Sequence, residues 1–165
     1  MQNKKIVVVC DRGGHLHDAL KLLEQMKLVP TLFVTTPGPD VDALRHDPRF
    51  QKSQMKQIVQ SFTWFGKLRV FNPFKAFYTA FVSFWNAVKV RPDFVISTGA
   101  VNVVPFCLFA KMLGAKILHI ENLAQVENAS VTGRLLYHIA DHFFVQWEDL
   151  LKQYGGKAQF KGWVL

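Results

Sequence analysis

Several short polar runs in this 165-residue sequence set glycines beside groups able to bind or move a proton. Asp11-Arg12-Gly13-Gly14-His15 closes a β-branched run and opens a helical pattern. Backbone N–H groups at Gly13 and Gly14 would then approach a phosphate or a sugar at a helix N-terminus, although a tight turn that needs φ > 0 accounts for the same glycines. His15 follows the turn. Its ordinary pKa lies near working pH, which suits a general base or a donor to an acceptor molecule; capping and packing are the other uses of a histidine there, and His17 is the weaker candidate on the same helix. In Ser97-Thr98-Gly99 two hydroxyls and a glycine suit backbone-amide recognition of a phosphate or sugar hydroxyl, and suit N-capping equally. Glu121-Asn122 sets a carboxylate beside an amide: either binds sugar hydroxyls, and Glu121 can serve as a base, hold one in place, or tie loops together. Ser130, Thr132 and Arg134 form an N-cap and first helical turn that would bind an anion, unless Arg134 is merely solvated. Neither GxGxxG nor the Walker Gly-Lys-Ser/Thr occurs.

The elements that must position these residues alternate. Strand patterns fall at residues 5–10, 31–35, 57–61, 93–97, 116–120, 142–145 and 159–162, with helical patterns at 15–26, 74–89, 103–113, 130–140 and 148–154. That order predicts an α/β fold: a Rossmann-like parallel sheet with helices on both faces, in one domain spanning residues 1–165. Right-handed crossovers would line the loops after the strands along one sheet edge, where open α/β folds bind ligands. His15 and Glu121 are therefore expected to face a common cleft. The run Thr36-Pro37-Gly38-Pro39-Asp40 reads as a turn or loop.

Composition narrows the partners. Half of the residues are hydrophobic and 19% are charged, so a packed fold is expected. The net charge of +8 favours anionic partners: phospholipid headgroups, nucleotide-sugar phosphates, polyprenyl phosphates or nucleic acid. Nucleic acid has only the charge behind it, because no zinc-finger, helix-turn-helix or RNP-like motif is present. Cys10 and Cys107 sit in apolar runs without CxxC or Cys/His spacing, so neither a disulfide framework nor a metal site is indicated, and no cofactor is called for. Charged residues and Pro105 interrupt the longest apolar zones, at 74–90 and 101–113, so no bilayer span is expected. With no export signal at the start, the sequon at Asn128 is read as a coincidence.

Aromatic residues exceed what a small core needs, with fifteen Phe and four Trp. Phe74, Phe77, Tyr78, Phe81, Phe84, Trp85 and Val88 recur at helical spacing, for which packing against the sheet is the default expectation. Just before them, Trp64, Phe65, Lys67, Arg69 and Phe71 interleave rings with cations, the composition of an anchor on an anionic membrane surface.

From Arg91 to Tyr154, with DRGGHLHDALKLL upstream, the sequence resembles bacterial capsule and exopolysaccharide glycosyltransferase subunits of the PssD/CpsF type. These are similar to the membrane-anchoring subunit of the split dolichol-pathway N-acetylglucosaminyltransferase, and more distantly to the N-terminal domain of the enzyme that glycosylates lipid I. The resemblance covers nearly the whole chain and is weakest from Thr36 to Asn72. It implies the N-terminal, acceptor-side half of a GT-B fold and a heterodimer with a donor-binding glycosyltransferase subunit. The implied substrates are a polyprenyl-diphosphate-linked saccharide acceptor and a nucleotide sugar, such as a UDP-sugar, shared with the partner. Gly13, Gly14 and His15 match the glycine-rich acceptor loop, Ser97, Thr98 and Gly99 the second loop, and Glu121 with Asn122 the third. The chain departs from the eukaryotic subunits in showing no N-terminal transmembrane helix, and it stops near Leu165, where a fused enzyme would continue into a donor domain. Peripheral attachment at the cytoplasmic face of the cell membrane, and inactivity without the partner, are the resulting expectations. The alternative is a non-catalytic scaffold that recruits the catalytic donor-binding subunit to the membrane.

Overall fold

The computed structural model describes residues 4–65 and 68–163, with backbone only at 62–65 and 68–69. Seven parallel strands form one sheet: β1 (Ile6–Val9), β2 (Leu32–Thr35), β3 (Gln54–Gln57), β6 (Phe94–Ser97), β7 (Lys116–Ile120), β8 (His142–Val145) and β9 (Ala158–Phe160). A separate antiparallel hairpin, β4 (Phe62–Phe65) and β5 (Leu68–Phe71), precedes β6. The sheet order is β3-β2-β1-β6-β7-β8-β9. Chain direction across the sheet therefore reverses between β1 and β6, whose registers pair Val8 with Ile96 and Val9 with Ser97. This break in order opens a crevice beyond the strand ends.

Helices cover both faces. Val8, Phe33 and Ile96 pack with Leu16, Ala19 and Leu23 of α1 (Gly14–Gln25) and with Val41 and Leu44 of α2 (Pro39–Arg45). On the other face Val7, Val9, Val95 and Ile117 pack with Ala87 of α3 (Pro73–Val90), Phe106 and Ala110 of α4 (Val104–Met112), and Leu136 of α5 (Val131–Ile139). Leu150 and Tyr154 beside and within α6 (Leu151–Tyr154) complete that core. The expected Rossmann-like sheet is present.

The main differences from expectation lie between residues 36 and 85. Pro39 starts α2 although Thr36 to Asp40 reads as a turn or loop, because proline fits a helix's first position, where its missing N–H costs nothing. The third sheet strand lies at 54–57 rather than 57–61: Gln54, Lys56 and Gln57 are exposed on an edge strand and give no apolar signature. The default for the aromatic stripe is overturned. Phe74, Phe77, Tyr78, Phe81, Phe84 and Trp85 are all exposed, and α3 buries Thr79, Ser83, Asn86 and Ala87 instead. Of the expected anchor residues, Lys67 lies outside the described residues, the side chains of Trp64, Phe65 and Arg69 are not described, and Phe71 is exposed. Among the described residues no helix is long and apolar enough to cross a membrane.

Candidate functional site

The strand-end loops enclose a cleft of about 620 Å³ lined by His15, Gly99, Glu121, Asn122, Ser130 and Thr132. Asp11, Gln60, Asn102 and Gln125 complete its polar rim. Loops after β1, β6 and β7 thus converge on one space, which a parallel sheet provides only at its carboxyl edge.

His15 is held by the loop after β6. Its Nδ1 lies 2.8 Å from the Thr98 carbonyl oxygen, and Thr98 Oγ1 returns a bond to the His15 carbonyl at 2.6 Å. A carbonyl only accepts, so Nδ1 carries the hydrogen and the neutral ring keeps its lone pair on Nε2. Gly99 lets the ring sit this close. A Cβ at that position would fall 2.9 Å from His15 Cε1 and Nδ1, and its φ of +114° already disfavours a side chain.

Asn122 lies beside the ring, its Nδ2 being 3.1 Å from His15 Nδ1. The Ala124 N–H donates to Asn122 Oδ1 at 2.8 Å and Nδ2 donates to Asp18 Oδ2 at 3.3 Å, which fixes the amide's orientation. Asp18 is buried three residues along α1 from His15. Burial raises its carboxyl pKa, against a bond from the Leu123 backbone and the field of His15. A carboxylate so placed favours the imidazolium that would form when Nε2 takes a proton.

Glu121 is 1% exposed and reaches the cleft from the end of β7. The Tyr154 hydroxyl donates to its Oε2, the Asn122 N–H donates to Oε1 at 3.2 Å, and Gln146 Nε2 donates to its carbonyl at 3.1 Å. Burial pushes the Tyr154 hydroxyl well above its ordinary pKa, and the adjacent Glu121 adds to the effect. Gly133 of α5 leaves room for the pair: a Cβ there would overlap Glu121 Oε2 and the Tyr154 hydroxyl outright.

The remaining sequence candidates divide. Ser130 caps α5, its Oγ accepting from the Gly133 N–H at 2.8 Å, and Thr132 is buried at the cleft wall. Thr98 is buried and acts through His15 rather than facing the cleft. Ser97 points into the interior, 3.2 Å from His119 Nδ1, and Arg134 is exposed away from the cleft lining. Gly13 and Gly14 border the site without lining it, and the Gly13 N–H already donates to Asp40 Oδ2 at 2.7 Å. A carboxylate there occupies the place an anion would take at the start of α1. Asp11 accepts from Thr36 Oγ1 and from Gln60 Nε2, the latter at 3.1 Å. Sequence reasoning did not single out Asp18, Gln60, Asn102 or Tyr154. Only Asp18 left a signal, its i+3 spacing from His15 on one helix face. Among the described residues no cluster of three His, Cys, Asp or Glu could hold a metal ion.

Comparison with known proteins covers nearly the whole chain. The family model described as "Oligosaccharide biosynthesis protein Alg14 like" matches residues 6–164. The UDP-N-acetylglucosamine transferase subunit alg14 of Schizosaccharomyces pombe is 37% identical over 98% of this chain and 83% of its own length. The mouse subunit ALG14 is 24% identical over 93% of this chain and 80% of its own. Among solved structures, Acinetobacter baumannii MurG superposes with a TM-score of 0.71 at 23% identity, covering 95% of this chain and 45% of that one. The sheet thus matches the Rossmann-like half of a GT-B glycosyltransferase, and this chain spans just under half the length of that enzyme.

Proposed function

We propose that this chain, which belongs to the Alg14-like family of oligosaccharide biosynthesis proteins, is the acceptor-side half of a two-subunit glycosyltransferase whose donor-binding half is a separate chain. The single observation that carries this is the cleft at the sheet's carboxyl edge, where a tautomer-fixed His15 and the buried Glu121 line one space. Relatives named as transferase subunits support the division of labour. Residues 1–165 supply one wall, as a single Rossmann-like domain, and the second subunit supplies the nucleotide-sugar wall. Closing two such walls aligns the reactants and excludes water.

In this reaction a hydroxyl of the acceptor saccharide sits against His15 Nε2. Its oxygen attacks the anomeric carbon of the donor sugar, the bond from that carbon to the nucleoside diphosphate breaks with the electron pair leaving on the phosphate, and the hydroxyl proton ends on Nε2. Asp18 favours the resulting imidazolium, while Glu121, Asn122, Ser130 and Thr132 orient the saccharide. The acceptor is a polyprenyl-diphosphate-linked saccharide of the kind built into capsule or exopolysaccharide, as in PssD/CpsF-type systems. The donor is a nucleotide sugar shared with the partner. The chain works peripherally at the cytoplasmic face of the membrane.

Purified chain, purified candidate donor subunit and their mixture are assayed for transfer from a nucleotide sugar to a polyprenyl-linked acceptor. Turnover only in the mixture supports the split enzyme, and robust turnover by this chain alone overturns it.

A further inference from the structure

Helix α3 is packed inside out. Its buried residues are Thr79, Ser83, Asn86 and Ala87, with Thr79 Oγ1 donating to the Val59 carbonyl at 2.8 Å and Asn86 Nδ2 to the Val82 carbonyl at 2.7 Å. On the opposite side Phe74, Phe77, Tyr78, Phe81, Phe84 and Trp85 fill an arc of roughly 120° at 3.6 residues per turn. Phe74 is 84% exposed, Phe77 75% and Trp85 60%. The ring face runs along an 18-residue helix, a length of about 27 Å. Soluble surfaces do not ordinarily leave so large an aromatic stripe in water.

Charge indicates what covers it. Between Asp47 and Asp93 the sequence has no Asp or Glu but eight Lys and Arg, so this segment holds a charge equal to the chain's whole net charge of +8. The other residues balance, with twelve acidic and twelve basic side chains. Lys75 in the first turn of α3, Lys89 in its last and Arg91 at its C-cap are exposed at the two ends of the ring face. Rings set between cations, in a segment that carries no Asp or Glu, match the chemistry of an anionic lipid–water interface. A second copy of the chain would instead bring the same cations against one another.

The start of this face is tied to the cleft. Gln60 lines the cleft, the Ser61 N–H donates to Asn102 Oδ1 at 3.0 Å, and the Asn72 N–H donates to the Ser61 carbonyl at 2.7 Å just before α3 begins. We infer that the exposed aromatic face of α3 is a docking surface for an anionic bilayer, which holds the cleft rim beside the lipid headgroups. This gives the proposed peripheral attachment its surface and rests on that reading, but vesicle binding reads it without any sugar transfer.

The test is flotation of the full chain with phosphatidylcholine vesicles, with and without phosphatidylglycerol. The wild type binds the anionic vesicles, and added salt weakens the binding. Phe77→Ser/Phe81→Ser/Trp85→Ser binds at least tenfold more weakly, with an unchanged circular dichroism spectrum and denaturation midpoint because these rings are exposed. Lys89→Glu/Arg91→Glu weakens binding to anionic vesicles by at least tenfold, at about fivefold per cation near the surface. Wild-type protein that ignores anionic vesicles, or a triple Ser variant that binds them as tightly as wild type, overturns the inference. So does a salt-resistant dimer, seen by light scattering, that the triple Ser variant dissolves while vesicle binding persists.

Discussion

Gly133→Ala tests whether the Glu121–Tyr154 pair is built as described. Alanine for glycine inside a helix ordinarily gains up to about 1 kcal/mol. At Gly133 the new methyl would overlap Glu121 Oε2 and the Tyr154 hydroxyl and come within 3.0 Å of Glu121 Cδ, all of them inside the fold. If the carboxylate swings away, a buried charge-assisted hydrogen bond of about 1.5–3 kcal/mol is lost. If α5 shifts instead, overpacking costs about 1–3 kcal/mol. Set against the propensity gain, the net is a loss of roughly 1–2 kcal/mol. For a chain of this size that lowers Tm by roughly 2–8 °C. Gly156→Ala is the control: nothing lies within 4 Å of its added methyl and its φ is not left-handed, so its stability matches or slightly exceeds wild type. Urea denaturation and thermal melts of both variants give the answer. A Gly133→Ala protein as stable as Gly156→Ala would refute the packing described for Glu121.

Gly99→Ala forces a side chain into a left-handed backbone and against the His15 ring, so it costs about 1–3 kcal/mol of stability in denaturation curves and lowers transfer by the reconstituted complex. Burial pushes the His119 ring down to a pKa of about 3, with the nearby His15 acting in the same direction. The unfolded chain therefore takes up a proton near pH 6.5 that the folded chain refuses until about 3, and stability falls as pH drops through that window, by about 2 kcal/mol at pH 5. Denaturation midpoints measured from pH 7 to pH 5 should flatten in His119→Gln; an unchanged slope would assign the loss to other groups.

The parallel sheet and the edge along which the candidate loops gather were legible because the information is local. The apolar runs of β1, β6, β7 and β8 are rich in β-branched and aromatic residues and mostly buried, and parallel topology carries the residues that follow them to one edge. What the sequence hides is which neighbour a face meets. The stripe of α3 has helical period, but period does not say whether rings or hydroxyls turn inward, and Thr79, Ser83 and Asn86 are the ones that do. The cleft gathers His15, Gly99, Glu121, Asn122, Ser130 and Thr132 from the three connections after β1, β6 and β7. Tyr154 was invisible because its partner Glu121 lies 33 residues away, whereas Asp18 offered only its i+3 spacing from His15, inside an otherwise apolar helix face. Ser97 shows the reverse limit: strand alternation turned its hydroxyl toward His119 and away from the cleft.

The central claim, that this chain contributes chemistry and not only a surface, is tested most directly by kcat of the complex reconstituted with the donor subunit, measured with wild type and with His15→Ala. Loss of the positioned base predicts a fall of about 100-fold or more, with the complex still assembling. A kcat within about threefold of wild type in an intact complex would contradict the assignment, make His15 a packing residue, and leave this chain a scaffold for chemistry carried out wholly by its partner.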